Sequence, residues 1–198
     1  MTEGREQRIL EIIETARAKP PRWRDERVTM AHGAGGSSSR SLVEGLLVPA
    51  LRNGALEELG DAAVLPLGEV RLALSTDSFV VRPLRFPGGS IGELAVNGTV
   101  NDLAVAGARA LALSLALVLE EGLPAAELEA EVEAIAAAAE AAGVAVIAGD
   151  TKVVERGRAE GMYVTTTGVG ALDARGALSP RSLRAGDRVL VSGPIGAH

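Results

Sequence analysis

Leu111-Ala-Leu-Ser-Leu-Ala-Leu-Val-Leu119, then Pro124-Ala-Ala-Glu-Leu-Glu-Ala-Glu-Val-Glu-Ala-Ile-Ala-Ala-Ala-Ala-Glu-Ala-Ala-Gly143, then Val144-Ala-Val-Ile-Ala148 decide the fold class. The outer pieces are short apolar runs of strand length. The middle piece predicts a helix over 125–142. Pro124 stands at its start, where a missing N–H costs nothing, and Gly143 just past its end. A strand, a helix and a strand in succession predict an α/β chain.

Reading outward, a second helix is expected over about Ile91–Ala106. Ahead of it, strands are expected over Ala62–Leu67 and Val70–Thr76. In the latter, Val70, Leu72 and Leu74 alternate with Arg71, Ala73 and Ser75, which places Asp77 at the strand's end. Downstream, Tyr163–Val169 and Arg188–Val191 read as strands. The order β-β-α-β-α-β-β predicts a two-layer α/β sandwich, a mixed sheet with helices on one face. Further upstream, Leu42, Val43, Leu46, Leu47 and Leu51 have helical spacing behind a Gly-rich loop. Residues 1–27 read as an appendage. Ile9, Leu10, Ile12, Ile13 and Ala16 fit one side of a helix, Pro20-Pro21 stops it, and Arg17, Lys19, Arg22, Arg24 and Arg27 form a basic linker around Trp23. That linker is expected to be solvated, with Trp23 as a docking aromatic. No internal repeat is visible.

Composition narrows the function. The 198 residues suffice for one good-sized domain, and 47% hydrophobic with 23% charged residues describes a soluble globular chain. With two Phe, one Trp and one Tyr, the core must be aliphatic. The net charge of −6 and the lack of a basic face disfavour nucleic acid. Zero Cys removes thiolate metal sites and disulfides and is compatible with the cytoplasm. The most apolar stretch, Leu103–Leu119, contains Arg109 and is shorter than the roughly 20 residues a spanning helix needs. Two His and no Gly-x-Ser-x-Gly elbow leave no zinc hydrolase and no Ser-His-Asp enzyme.

The remaining chemistry lies with the acids. Asp61, Asp77, Asp102 and Asp150 each stand among small residues: Leu59-Gly-Asp-Ala-Ala-Val64, Leu74-Ser-Thr-Asp-Ser78, Asn97-Gly-Thr-Val-Asn-Asp-Leu103 and Ala148-Gly-Asp-Thr-Lys152. Carboxylates so placed suit a hard cation, and Mg²⁺ combines a few carboxylates with waters and substrate phosphates. On a helix, Asn97 and Asn101 share a face, as do Gly98 and Asp102. That stripe fits a metal-bound nucleotide or an internal hydrogen-bonding network. Asp150 could hold metal and Lys152 phosphate charge, or the tract is a polar turn with a surface Lys. Gly60-Asp61 and Ser75–Ser78 are equally readable as turns. His32-Gly-Ala-Gly-Gly36 ahead of a helix has the character of a phosphate-cradling loop, without the Gly-Lys-Ser/Thr of a P-loop. His32 itself reads as a capping or exposed residue before a ligand-side donor.

Together, Ala31-His-Gly-Ala-Gly-Gly36, Asp61-Ala-Ala-Val64, Ser75-Thr-Asp-Ser-Phe-Val-Val81, Phe86-Pro-Gly-Gly89, Asn97–Leu103, Leu119-Glu-Glu-Gly-Leu-Pro124 and Gly149-Asp-Thr-Lys-Val-Val154 resemble the hydrogenase expression/formation protein family HypE. That family lies in the superfamily of aminoimidazole-ribonucleotide synthetase-like (PurM-like) ATP enzymes. The resemblance covers about Val28 to His198. It implies a PurM-like N-terminal domain over 28–180, with 181–198 the truncated start of a C-terminal domain. It implies ATP-dependent dehydration of a carbamoyl group, carried as a thiocarboxamide on a C-terminal Cys, to a thiocyanate that supplies cyanide to nickel–iron hydrogenase. By the family pattern Asp77, Asp102 and Asp150 would hold Mg²⁺. Asn101, Asp61, Thr151 and Lys152 would place ATP, with Lys152 the catalytic residue, and Gly33, Gly35 and Gly36 would cover the triphosphate. The resemblance further implies a homodimer whose sheets close into a barrel. Its implied partners are the maturation carbamoyltransferase and iron-scaffold proteins. The chain departs from the pattern by having no Cys, by Ala197 where Asp is expected, and by Gly60 where a second Asp often stands. It is therefore expected to be a fragment that does not complete the reaction alone. Other readings are a thiamine-monophosphate kinase, a selenophosphate synthetase, or a non-catalytic dimerisation and docking module.

Overall fold

The computed structural model describes residues 8, 21–172, 178–191 and 193. The helix expected over Ile9–Ala16 lies outside them. The chain divides into two compact units, Met1–Glu58 and Leu59–His198.

In the first unit a 3₁₀ turn, Met30–His32, leads through the Gly-rich loop into α1 (Gly36–Leu42). A π-helical turn over Val43–Leu47 joins α1 to α2 (Val48–Leu51). The extra residue of that turn falls around Gly45, where a Cβ would lie 2.7 Å from the backbone nitrogen of Trp23. Residues 21–23 thus run directly over the helix, and the Ser41 hydroxyl donates to the Arg22 carbonyl at 3.2 Å.

The second unit carries one sheet of five strands in the order β1-β2-β7-β5-β6. These are β1 (Ala63–Leu67), β2 (Val70–Phe79), β5 (Ala108–Glu120), β6 (Ala145–Val154) and β7 (Met162–Leu172). A two-stranded ribbon, β3 (Arg85–Phe86) with β4 (Gly89–Ser90), precedes α3 (Ile91–Val105), and α4 (Ala125–Ala142) crosses from β5 to β6. Only β5 and β6 run parallel; the other neighbours are antiparallel. This is the mixed sheet that the element order predicts.

Both helices pack on one face. Val96, Leu113, Ile135, Ala138, Ala139 and Val144 form one apolar cluster, and Leu84, Ile91, Ala95, Leu117, Met162 and Val164 another. The core is aliphatic, as the shortage of aromatics requires. Two polar bolts fix α3 to the sheet. Thr166 of β7 donates its hydroxyl to the Ala95 carbonyl at 3.0 Å and lies 2.6 Å from the Thr99 hydroxyl. Both threonines are fully buried, so each hydroxyl must find its partner inside the protein. At the helix start, the Ser90 side chain accepts from the Glu93 N–H, an N-cap.

Three expectations about elements need correction. Asp77 lies inside β2, which runs on to Phe79, because β7 offers backbone partners as far as Val164. Asp150 and Lys152 lie inside β6 and not in a turn after it, because β5 remains alongside to Glu120. Arg188–Val191 forms no strand. Val189 and Leu190 are about nine-tenths exposed, with no neighbouring strand to pair with among the described residues.

Candidate functional site

The site begins with two residues spaced by two on β2. Strand side chains alternate in direction, so Ser75 and Asp77 both face α3. Helix side chains four apart share a face, so Gly98 and Asp102 both face β2. The Ser75 hydroxyl donates to Asp102 Oδ2 at 2.9 Å. Gly98 permits the approach: a Cβ there would sit 2.8 Å from the Phe79 ring and 3.9 Å from Asp77 Oδ2. Ser75 belongs to the Leu74–Ser78 tract, and its role as the holder of Asp102 emerges only where β2 and α3 meet.

The electrostatics run in the same direction. Burial, then the Asp102 carboxylate, then Asp61 push the Asp77 carboxyl above the usual carboxylate range. Asp61 stands in an exposed bend before β1. Asp61, Asp77 and Asp102 thus form a region of like charge with no basic side chain hydrogen-bonded to it among the described residues. Their all-oxygen donor set fits a hard cation such as Mg²⁺. As they stand, no three acidic or histidine side chains among the described residues are spaced to enclose an ion. Asn101 and Asn97 lie on the exposed side of α3.

Asp150 and Lys152 are placed differently. The register Asp77–Thr166–Leu115–Gly149 runs straight across the sheet. Asp150 is one residue beyond Gly149 and therefore points to the opposite face, in register with Ala116, Thr165 and Ser78. Three strand spacings separate β2 from β6, about 14 Å. A single chain does not bring Asp150, Thr151 or Lys152 to the other acids. Lys152 Nζ instead contacts Asp150 Oδ2 at 2.8 Å. The hydrogen bond from Lys152, then the Thr151 backbone, hold the Asp150 carboxyl below the usual range. Asp150 and Thr151 border an open groove of about 560 Å³ along β6 with Leu115, Leu117 and Val146.

The Gly-rich loop belongs to the first unit. Gly35 (φ 79°) and Gly36 (φ 78°) occupy the left-handed region, where glycine is at home, and a Cβ on either would meet nothing within 4 Å. Gly33 has an ordinary φ of −102°. His32 is buried at the start of this loop. Its Nδ1 accepts the Thr29 N–H at 2.9 Å, which assigns the proton to Nε2, 3.3 Å from Asp25 Oδ2. Trp23 meets its ring edge-on at 5.1 Å. His32 is thus a capping residue, and Trp23 the docking aromatic that the sequence implied. The Leu119–Pro124 tract lies apart from the acids. It lines a cavity of about 410 Å³ with Arg82 and Arg156, and the Glu120 carboxylate accepts the N–H groups of Gly157 and Gly161.

A model of the AIR synthase related protein N-terminal domain matches residues 59–172, the whole sheet and both helices of the second unit. The chain belongs to the AIR synthase-related family. Its relatives within that family include HypE proteins. It is 50% identical over 175 residues to the carbamoyl dehydratase HypE of Azotobacter vinelandii, covering 88% of this chain and 51% of that protein. A HypE–HypF complex superposes with a TM-score of 0.64 at 45% identity, over 70% of this chain and 44% of that one. A hydrogenase maturation protein HypE in complex with ATP gives 0.54 at 45% identity, over 76% of this chain and 45% of that one. The chain spans about half the length of the curated relatives it matches. The PurM-like fold expected from the motifs is thereby established. Among the described residues no helix is long and apolar enough to cross a membrane.

Proposed function

We propose that this chain is the ATP-binding N-terminal half of a HypE-type carbamoyl dehydratase. The observation that carries it is the pairing of Asp77 and Asp102 between β2 and α3, with Asp61 adding to their charge from the bend before β1, in a chain 45% identical to a HypE crystallised with ATP. Three carboxylates with little positive charge between them repel one another unless a cation joins them. Mg²⁺, when bound, neutralises and orients the triphosphate. Asp77 and Asp102 hold it, Asp61 adds a third oxygen donor, and Ser75 fixes the angle at which Asp102 offers its carboxylate. Asn101, on the exposed side of α3, places ATP. Positioning and charge neutralisation supply most of the catalysis in phosphoryl chemistry.

In this reading Asp150, Thr151 and the catalytic Lys152 join the acids of a second copy of the chain. Two facts support this. All three lie at least about 14 Å from Asp77 across the sheet, Asp150 and Lys152 on its opposite face and Thr151 on the same face, and among the described residues both helices of the unit pack on the face of Asp77. The dehydration itself, the thiocarboxamide it acts on, a HypF-type carbamoyl donor and iron-scaffold partners are proposed for the longer protein.

Calorimetric titration tests the nucleotide site. ATP should bind at least tenfold more tightly with Mg²⁺ than in chelator, because the acids otherwise repel the triphosphate. Equal affinities would remove the metal, and no binding at all would favour a docking module. Complementation tests the sharing. Asp77→Asn and Asp150→Asn proteins, each impaired alone, should regain up to half a site per pair when mixed. No recovery would place Lys152 and Asp150 outside the acids' site.

A further inference from the structure

Between α4 and the start of α3 lies a charged group that the site above does not use. Glu131 is 1% exposed. One carboxylate oxygen, Oε2, accepts the Gly92 N–H of α3 at 2.9 Å, and the other, Oε1, lies 2.9 Å from Arg85 Nε on β3. Arg85 also donates through Nη2 to the Ala130 carbonyl at 2.6 Å. The helices cross in contact here: a Cβ on Gly92 would lie 2.5 Å from the Glu131 carbonyl oxygen. A buried carboxylate is costly unless fully paired, and it lies where the helix presents unsatisfied N–H groups and partial positive charge.

We propose that Glu131 is a positioning residue for the carboxylate site. It fixes the N-terminal end of α3 against α4 and β3, and through that helix the placement of Gly98 and Asp102 over β2. Ten residues separate Gly92 from Asp102, about 15 Å along the axis, and a helix transmits a shift of its first turn along its length. Gly98 leaves little slack, since even a Cβ there would lie 2.8 Å from the Phe79 ring. Displacements on the order of 1 Å at such a site cost up to about a hundredfold in function.

This inference rests on the nucleotide reading, so its test carries a second readout that does not. Glu131→Leu should weaken Mg-ATP binding at least tenfold and shift the amide resonances of residues 98–102. Glu131→Gln keeps an oxygen for the Gly92 N–H and should stay within threefold of the parent. Val144→Ala, a core truncation away from the tether, is the stability-matched control and should leave binding and those resonances in place. Should Glu131→Leu fail to fold, Gly92→Ala carries the test: its methyl pushes α3 off α4 and should weaken binding likewise. Unchanged affinity in Glu131→Leu or Gly92→Ala, with amides 98–102 unmoved, would reduce Glu131 to a structural ion pair. If the parent binds no Mg-ATP, the nucleotide reading fails by itself, and the resonances alone decide on the tether.

Discussion

Asp102→Asn is expected to weaken Mg-ATP binding by about a hundredfold, the loss of one charge contact worth about 3 kcal/mol at a partly screened site. Asn still accepts the Ser75 hydroxyl, so strand β2 and helix α3 keep their places and the loss is one of charge. Asp77→Asn should lose affinity as severely while making the ligand-free protein more stable at neutral pH. Burial, and after it Asp102 and Asp61, hold the Asp77 carboxyl above its ordinary range. The folded chain therefore binds that proton more tightly than the unfolded chain does. The associated stability is fully present below the unfolded value of about 4 and is lost as pH rises through the raised folded value. At pH 7 the ionised carboxylate is an unrelieved cost, which Asn removes. The expected gain is a higher Tm at pH 7, shrinking as the pH falls toward and below the unfolded value of about 4. Groups kept at a stability cost are characteristic of functional sites. A lower Tm for Asp77→Asn at pH 7 would contradict the like-charge crowding, and unchanged ATP affinity in both variants would remove the site.

The second large effect is on the fold. Gly168→Val should cost 3 kcal/mol or more, about the upper end for overpacking, read as a lowered midpoint in urea at unchanged slope. A Cβ at Gly168 would sit 2.7 Å from Thr99 Cγ2, 2.9 Å from Leu103 Cδ1 and 3.1 Å from Leu113 Cδ2. All three neighbours are buried, and Thr99 is further tied to Thr166. The new methyls can enter only if α3 rises off β7, which also parts Asp102 from Ser75. The variant is therefore expected to lose nucleotide affinity together with stability. A wild-type midpoint would show that the helix-to-sheet spacing is soft.

Much of this architecture is legible in local sequence, and the exceptions share one cause. Ala125–Ala142 is bounded by Pro124 and Gly143 in the sequence and by the same residues in the structure, where Gly143 adopts φ 65°. Gly98 and Asp102 share a helix face because four residues make about one turn. Strand ends are different, because they depend on how far a neighbour in space continues. Val144–Ala148 is where the apolar run stops, yet β6 continues through Asp150 and Lys152 beside β5. The opposite orientation of Asp77 and Asp150 is a matter of register across four strands, which no local pattern encodes. Glu131 did leave a trace. It takes its place in the stripe Leu128, Glu131, Ile135, Ala138, but among the Glu residues of α4 its position stands out only if every residue is assigned to a face. His32 was readable as a cap and is one; the Thr29 and Asp25 contacts that make it so required the fold of the first unit.

The exposed course of β6 has a consequence for the chain on its own. Among the described residues, the ten of β6 have a backbone partner strand on one side only, with Ile147 and Val153 about seven-tenths exposed, and such an edge is a template for further strands. The Asp150–Lys152 pair sits on this rim as two opposite charges that any added strand must desolvate. The two side chains to which we assign a role in a second copy's site thereby act as gatekeepers against fibrillar stacking of the single chain.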